Sequence, residues 1–142
     1  MIFLRVRNQS QFERFASQLR REEARVLSGF VFPKFFSSNA TEYLDRLSAL
    51  NTHLDTRLYG MPILEGKAVA YRESRPEELA KLRDLLAPYA SLILNLRVGG
   101  TDLSSLFGVR RAINATIYDI LPVRDALSDI LNFFNRIEAG YT

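Results

Sequence analysis

The order of its apolar segments constrains this chain more than any single residue does. Short apolar runs alternate with longer stretches in which apolar residues recur every three to four positions. Residues 2–7 read as a strand, with Ile2, Leu4 and Val6 on one face and Phe3, Arg5 and Arg7 on the other. Residues 11–21 follow as a helix, with Ser10 and Glu13 as its capping box and Phe12, Phe15, Ala16 and Leu19 as its apolar stripe. A second strand over 29–33 runs into Lys34, and a second helix over 40–50 takes Asn39 and Glu42 as its start signal. Residues 51–60 read as polar and irregular, 61–65 as a third strand, and 66–73 as ambiguous. Ser74 and Glu77 open a helix that ends near Pro88. The run 91–98 is the most strand-like in the chain, and Gly99-Gly100 breaks it. Thr101 is expected to cap a short helix through Leu106. After the loop 108–119, a last helix begins near Pro122 and runs to about Ile137, with Val123, Ala126, Leu127, Ile130, Leu131 and Phe134 facing a core.

Strands alternating with amphipathic helices indicate parallel βαβ units in an α/β fold. At ~30 residues per unit, one domain over 1–142 holds about four strands. A closed eight-stranded barrel takes ~250 residues, so the pattern fits half a barrel or a smaller open sheet. Composition removes several chemistries. There is no cysteine, and the one histidine, His53, is expected in a solvated loop. A metal site would therefore be built from oxygen ligands, which favours magnesium or manganese. No apolar run approaches the ~20 residues of a membrane span, and residues 1–8 lack the signature of a secretory signal, so a cytoplasmic chain is expected. Arginine outnumbers lysine 16 to 3 within a net charge of only +3. Arg20, Arg21 and Arg25 enclose Glu22 and Glu23, which reads as a solvated helix end and speaks against a nucleic-acid surface.

Parallel α/β sheets bind ligands at the carboxyl ends of their strands. Here the first strand ends in Arg5 and Arg7, the second in Lys34 and the third in Glu65. The fourth carries Asn95 and Arg97 and leads through Gly99-Gly100 to Asp102. Each has an ordinary alternative. Lys34 could be solvated, Glu65 could cap a turn, Asp102 could complement a helix N-terminus, and Arg7 could pair with Glu13. Four successive strand ends delivering charge to one edge favour a site. Gly99 and Gly100 would let a ligand approach the backbone there.

The segments LRVRN, GFVFPKF, MPILEG and LNLRVGGTDLSSLFGVRR, in that order, resemble the citrate lyase β-subunit and HpcH/HpaI aldolase superfamily. They are most similar to its branch of carbon–carbon bond lyases of the TIM-barrel fold, whose members occur in tellurium-resistance-associated gene clusters. The resemblance spans nearly the whole chain and implies a partial (β/α) TIM barrel. It implies magnesium (or manganese) held by Glu65 and Asp102, with Arg5 gripping the substrate carboxylate and enolate oxygen. Arg7 stands where many relatives carry asparagine, and Lys34 follows the family's proline-lysine turn. Substrate contacts would come from Arg5, Arg97, Gly99 and Gly100. The implied substrate is a small carboxylic acid or an acyl thioester. The chain aligns from the family's third barrel strand to before its seventh, so a homo-oligomer or a missing barrel segment is expected to cover the sheet edges. Two other readings stand beside this one: a non-catalytic half-barrel that assembles with another subunit, and a phosphate or nucleotide binder at Gly99-Gly100-Thr101. Asp102 would repel a phosphate at that position, and no full phosphate loop is present.

Overall fold

The computed structural model describes residues 2–136. Its sheet has four strands, β1 (Phe3–Arg5), β2 (Gly29–Phe32), β3 (Tyr59–Leu64) and β4 (Arg97–Val98), in the order β1-β2-β3-β4. Every neighbouring pair is parallel. Helices α1 (Gln9–Gln18), α2 (Arg21–Ala24), α3 (Ala40–Leu54), α4 (Lys67–Ala70), α5 (Arg75–Leu86), α6 (Gly100–Ser105) and α7 (Leu121–Phe134) connect or follow the strands. The expected α/β alternation is present.

Strand periodicity sorts the side chains. Val6, Phe30, Phe32 and Leu64 point to one face, where they meet the stripes of α1, α3, α5 and α7 in the main core. Its centre is aromatic: Phe12 lies edge-on to Phe30 and Phe32 at 4.9 and 5.0 Å, and Tyr43 lies 4.7 Å from Phe32. Such geometry adds roughly 0.5–1.5 kcal/mol per pair beyond burial. The other face carries Phe3, Val31, Met61 and Ile63 as a separate apolar cluster. A sheet apolar on both faces is what a parallel α/β arrangement requires.

The structure shifts several boundaries. α1 starts at Gln9 and is capped by Asn8, not Ser10: Gln11 N–H donates to the Asn8 side chain at 2.9 Å, and Arg7 N–H donates to Gln11 Oε1 at 2.6 Å. Glu13 is consequently free to pair with Arg46 at 2.8 Å, and it pairs with that residue rather than Arg7. The predicted continuation to residue 21 is interrupted, since α2 is a separate turn. There Arg20 pairs with Glu23 at 2.8 Å on an exposed surface. α3 extends to Leu54, four residues past its expected end, and closes on Asp55 in the left-handed region. Asn51 bonds Leu58 through both its amide groups at 2.9 Å, giving order to a segment read as irregular. Ser74 does not cap α5; its hydroxyl donates to the Ala68 and Tyr71 carbonyls.

The largest departure concerns 91–98. A 3-10 turn occupies Ala87–Leu92, and only Arg97–Val98 is regular strand, with one bridge from Ile93 to Gly60. This strand lies at the sheet edge and has a ladder partner on one side only, so its apolar residues outlast its hydrogen bonding. Gly99, not Thr101, occupies the cap position of α6. Leu131 is 56 % exposed and not in the core of α7. The expected end of that helix at Ile137 lies outside the described residues. Among the described residues no helix is long and apolar enough to cross a membrane.

Candidate active site

Glu65 follows directly on β3, on the face of Met61 and Ile63, and is only 3 % exposed. A buried carboxylate needs partners. Its Oε1 accepts the Lys34 backbone N–H at 2.8 Å, across from the end of β2. Lys34 sits at φ 49, in the left-handed region that non-glycine residues seldom adopt. Three bonds fix the turn that holds it there. Asn39 Nδ2 donates to the Lys34 carbonyl at 3.0 Å, Asn39 Oδ1 accepts Phe36 N–H at 2.9 Å, and Phe35 N–H donates to the Ile63 carbonyl at 3.2 Å. Glu78 of α5 anchors the far side, accepting the Ser37 N–H and hydroxyl, each at 2.7 Å.

The second oxygen of Glu65 faces the next strand end. Gly99 N–H donates to the Leu64 carbonyl at 3.1 Å, seating Gly99 against the glutamate. A Cβ at Gly99 would lie 2.3 Å from Glu65 Oε2 and 3.3 Å from Asp102 Oδ2, so the two carboxylates converge on this bare backbone. Asp102 stands in the first turn of α6. Burial raises the Glu65 pKa above its ordinary value, and Asp102 adds to the rise. The Lys34 N–H and the charge of Arg5 act in the opposite direction. Two adjacent carboxylates, one of them buried, favour a proton or a cation between them.

A cleft of about 370 Å³ opens over this pair, lined by Arg5, Val6, Arg7, Pro33, Lys34, Glu65 and Asp102. It brings together the charged ends of β1, β2 and β3 with Asp102. None of the Arg5, Arg7 and Lys34 side chains forms a salt bridge among the described residues. Arg97 is exposed and outside the cleft lining, and Gly100 faces Ile117 instead, where a Cβ would lie 2.8 Å from Ile117 Cγ1. His53 is exposed in the last turn of α3. A larger groove of about 800 Å³ between β4 and α7 is lined mainly by apolar residues such as Leu94, Leu127 and Leu131, and neither Glu65 nor Asp102 is among its lining residues. Among the described residues no three His, Asp or Glu side chains gather as a metal-binding group, so a cation here would have two protein carboxylates and water.

Nothing in the sequence marks the supporting frame of Ser37, Asn39 and Glu78. Asn39 and Glu78 look like ordinary helix-start residues, and no local spacing links residue 37 to residue 78.

A family model described as "C-C_Bond_Lyase of the TIM-Barrel fold" matches residues 1–142. The chain belongs to this carbon–carbon bond lyase family. Its four parallel strands with their helices are accordingly a partial (β/α) barrel, and the cleft lies at the carboxyl edge where such barrels carry chemistry. No curated protein and no solved structure matches the chain.

Proposed function

We propose that the cleft is a magnesium-dependent lyase site, as the likeness to the citrate lyase β-subunit and HpcH/HpaI aldolases implies. The reaction is retro-aldol or Claisen-type cleavage of an oxo- or hydroxy-acid, or of its thioester, through an enolate. The observation that carries this reading is the buried Glu65 carboxylate turned toward Asp102 with one oxygen already committed to Lys34 N–H. The donor set fits a hard cation that prefers oxygen and retains water. When bound, magnesium supplies Lewis acidity toward a keto or carboxylate oxygen.

The chain's own groups do the remaining work. Arg5 and Arg7 line the mouth of the cleft and offer planar forks that match a substrate carboxylate. Their fixed positive charge also lowers the energy of an oxyanion developing between them and the carboxylate pair. The Lys34 ammonium adds a third cation at the same mouth. The buried floor keeps water from one side of Glu65.

Titration of Mg²⁺ and Mn²⁺ followed by calorimetry tests the reading. The wild-type chain is expected to bind, and Glu65→Gln and Asp102→Asn are each expected to weaken binding at least ~10-fold, or ~1.4 kcal/mol. A folded wild-type chain that binds neither ion overturns it.

The pH dependence has a defined sign. Burial raises the Glu65 pKa, so folding favours the protonated form more than the unfolded chain does. That contribution to stability is full below the unfolded pKa and is lost as pH rises through the higher folded one. A cation needs the ionised form. Its affinity should therefore rise with pH across a window above the ordinary ~4.3 of glutamate. Glu65→Gln should flatten the dependence in that window.

A second reading draws on the apolar groove beside the edge strand β4. It makes the chain a non-catalytic half-barrel that assembles with another copy or segment. That reading predicts a folded chain with no cation affinity, and the same titration separates the two.

A further inference from the structure

We infer that Asn39 is a positioning residue for Glu65, acting through the left-handed backbone of Lys34. The inference rests on the carboxylate pair being the working site. Lys34 at φ 49 is a strained conformation for a side-chain-bearing residue, and it persists only where its surroundings hold it. What it achieves is an N–H aimed at Glu65 Oε1 at 2.8 Å. Turned into the extended region, the same peptide would withdraw that N–H and leave a buried carboxylate oxygen without a donor.

Asn39 is built to prevent this. It is one side chain bonding twice into the turn, donating to the Lys34 carbonyl at 3.0 Å and accepting Phe36 N–H at 2.9 Å. Its place at the start of α3 predicts a helix cap, yet it makes no side-chain cap bond there. The amide is spent on the Lys34 turn. Glu78 ties the outer end of that turn to α5 through Ser37, which leaves Asn39 as the direct hold on the strained residue itself.

The two bonds can be separated by substitution. Asn39→Asp keeps the acceptor for Phe36 N–H and loses the donor to the Lys34 carbonyl, and Asn39→Ala loses both. Glycine adopts the left-handed region without a Cβ penalty, so Lys34→Gly should remove the need for the hold.

Selective ¹⁵N-lysine labelling reads the first step without any metal, because the chain has three lysines and hence three amide signals. The Lys34 signal, identified by its loss in Lys34→Gly, should lie downfield in the wild-type chain and move upfield in both Asn39 variants. Mn²⁺ affinity reads the second step. Both Asn39 variants should lose about tenfold, the usual scale for residues that orient a metal ligand. Introduced into Lys34→Gly, Asn39→Ala should cost only about twofold, because glycine reaches the left-handed region without the Cβ penalty that Asn39 offsets in the wild-type chain.

An unmoved Lys34 amide in folded Asn39 variants overturns the inference, whatever the metal does. So does an equal loss of affinity from Asn39→Ala in the wild-type and Lys34→Gly backgrounds, which would mark Asn39 as merely structural. If the amide moves and the wild-type chain binds no Mn²⁺, Asn39 still positions Glu65, and it is the metal reading that fails.

Discussion

Replacing Arg75 by alanine is expected to destabilise the folded chain by ~2–6 kcal/mol, since two buried backbone carbonyls lose their donor at ~1–3 kcal/mol each. Arg75 is 1 % exposed, and its guanidinium is fully engaged. Nε donates to the Val69 carbonyl at 2.7 Å and Nη2 to the Ala70 carbonyl at 2.6 Å. Both carbonyls belong to α4, in whose end they have no further turn to bond. Nη1 reaches Asp129 at 2.7 Å and Asp125 at 3.1 Å on α7. One side chain thus joins α4, α5 and α7. Its loss leaves two buried backbone acceptors without a donor and takes from Asp129 its ion-pair partner. Arg72 makes a bidentate pair with the same Asp125 at 2.7 and 2.8 Å, and it is the first cause of the Asp125 carboxyl lying well below the usual carboxylate range, with Arg75 second. Because Arg72 is 78 % exposed, its pair is screened, and Arg72→Ala should cost no more than ~1 kcal/mol. Urea denaturation of the two variants side by side checks the contrast. Similar losses for both would mean that the buried geometry of Arg75 counts for little.

The same residue shows where the sequence falls short. Arg75 sits behind Ser74 in what looks like an ordinary helix start, and its partners lie 50 and 54 positions away. Nothing in a local pattern announces such a contact. The strands and helices are legible because their causes are local. Alternation places Phe30, Phe32 and Val31 on opposite faces of β2, and three-to-four spacing places Tyr43, Leu44, Leu47 and Leu50 on one face of α3. Caps are less legible, since Asn8 and Ser10 both offer an oxygen near the start of α1. The geometry of Arg7 and Gln11 settles it. The run 91–98 misleads for another reason. Leu92, Ile93, Leu96 and Val98 owe their apolar character to partial burial against the main core, while regular pairing needs a neighbouring backbone that the sheet edge provides only on one side.

For the candidate site, residue type and strand end sufficed to bring Arg5, Arg7, Lys34, Glu65 and Asp102 into one cleft. They did not reveal that Lys34 contributes a backbone N–H as well as an ammonium, or that the turn presenting it is strained. Backbone sign is invisible in a residue whose side chain normally forbids it. The two glycines after β4 also divide their duties in a way that their adjacency hides. Gly99 touches the carboxylates and Gly100 touches the core.

That division gives the second large effect. Gly99→Ala should reduce Mg²⁺ or Mn²⁺ affinity ~100-fold or more, about 2.7 kcal/mol, because the new methyl competes directly with a proposed ligand. Its Cβ would stand 2.3 Å from Glu65 Oε2 and 2.8 Å from Glu65 Cβ. Neither side can yield cheaply. Glu65 is buried, with its other oxygen held on Lys34 N–H, and Gly99 is held by its own N–H to the Leu64 carbonyl. The carboxylate must rotate off its present position, which separates it from Asp102. Overpacking of this kind costs ~1–3 kcal/mol of stability, so thermal unfolding must first show that the variant is folded. Gly100→Ala is the matched control. Its methyl would meet Ile117 Cγ1 at 2.8 Å, a side-chain carbon that does not line the cleft. It should lower stability to a similar degree and leave cation affinity within about twofold, as expected of a site it does not touch. If both alanines weakened binding equally, the loss would come from general loosening of α6. If only Gly99→Ala did, the bare backbone between Glu65 and Asp102 would be identified as part of the site.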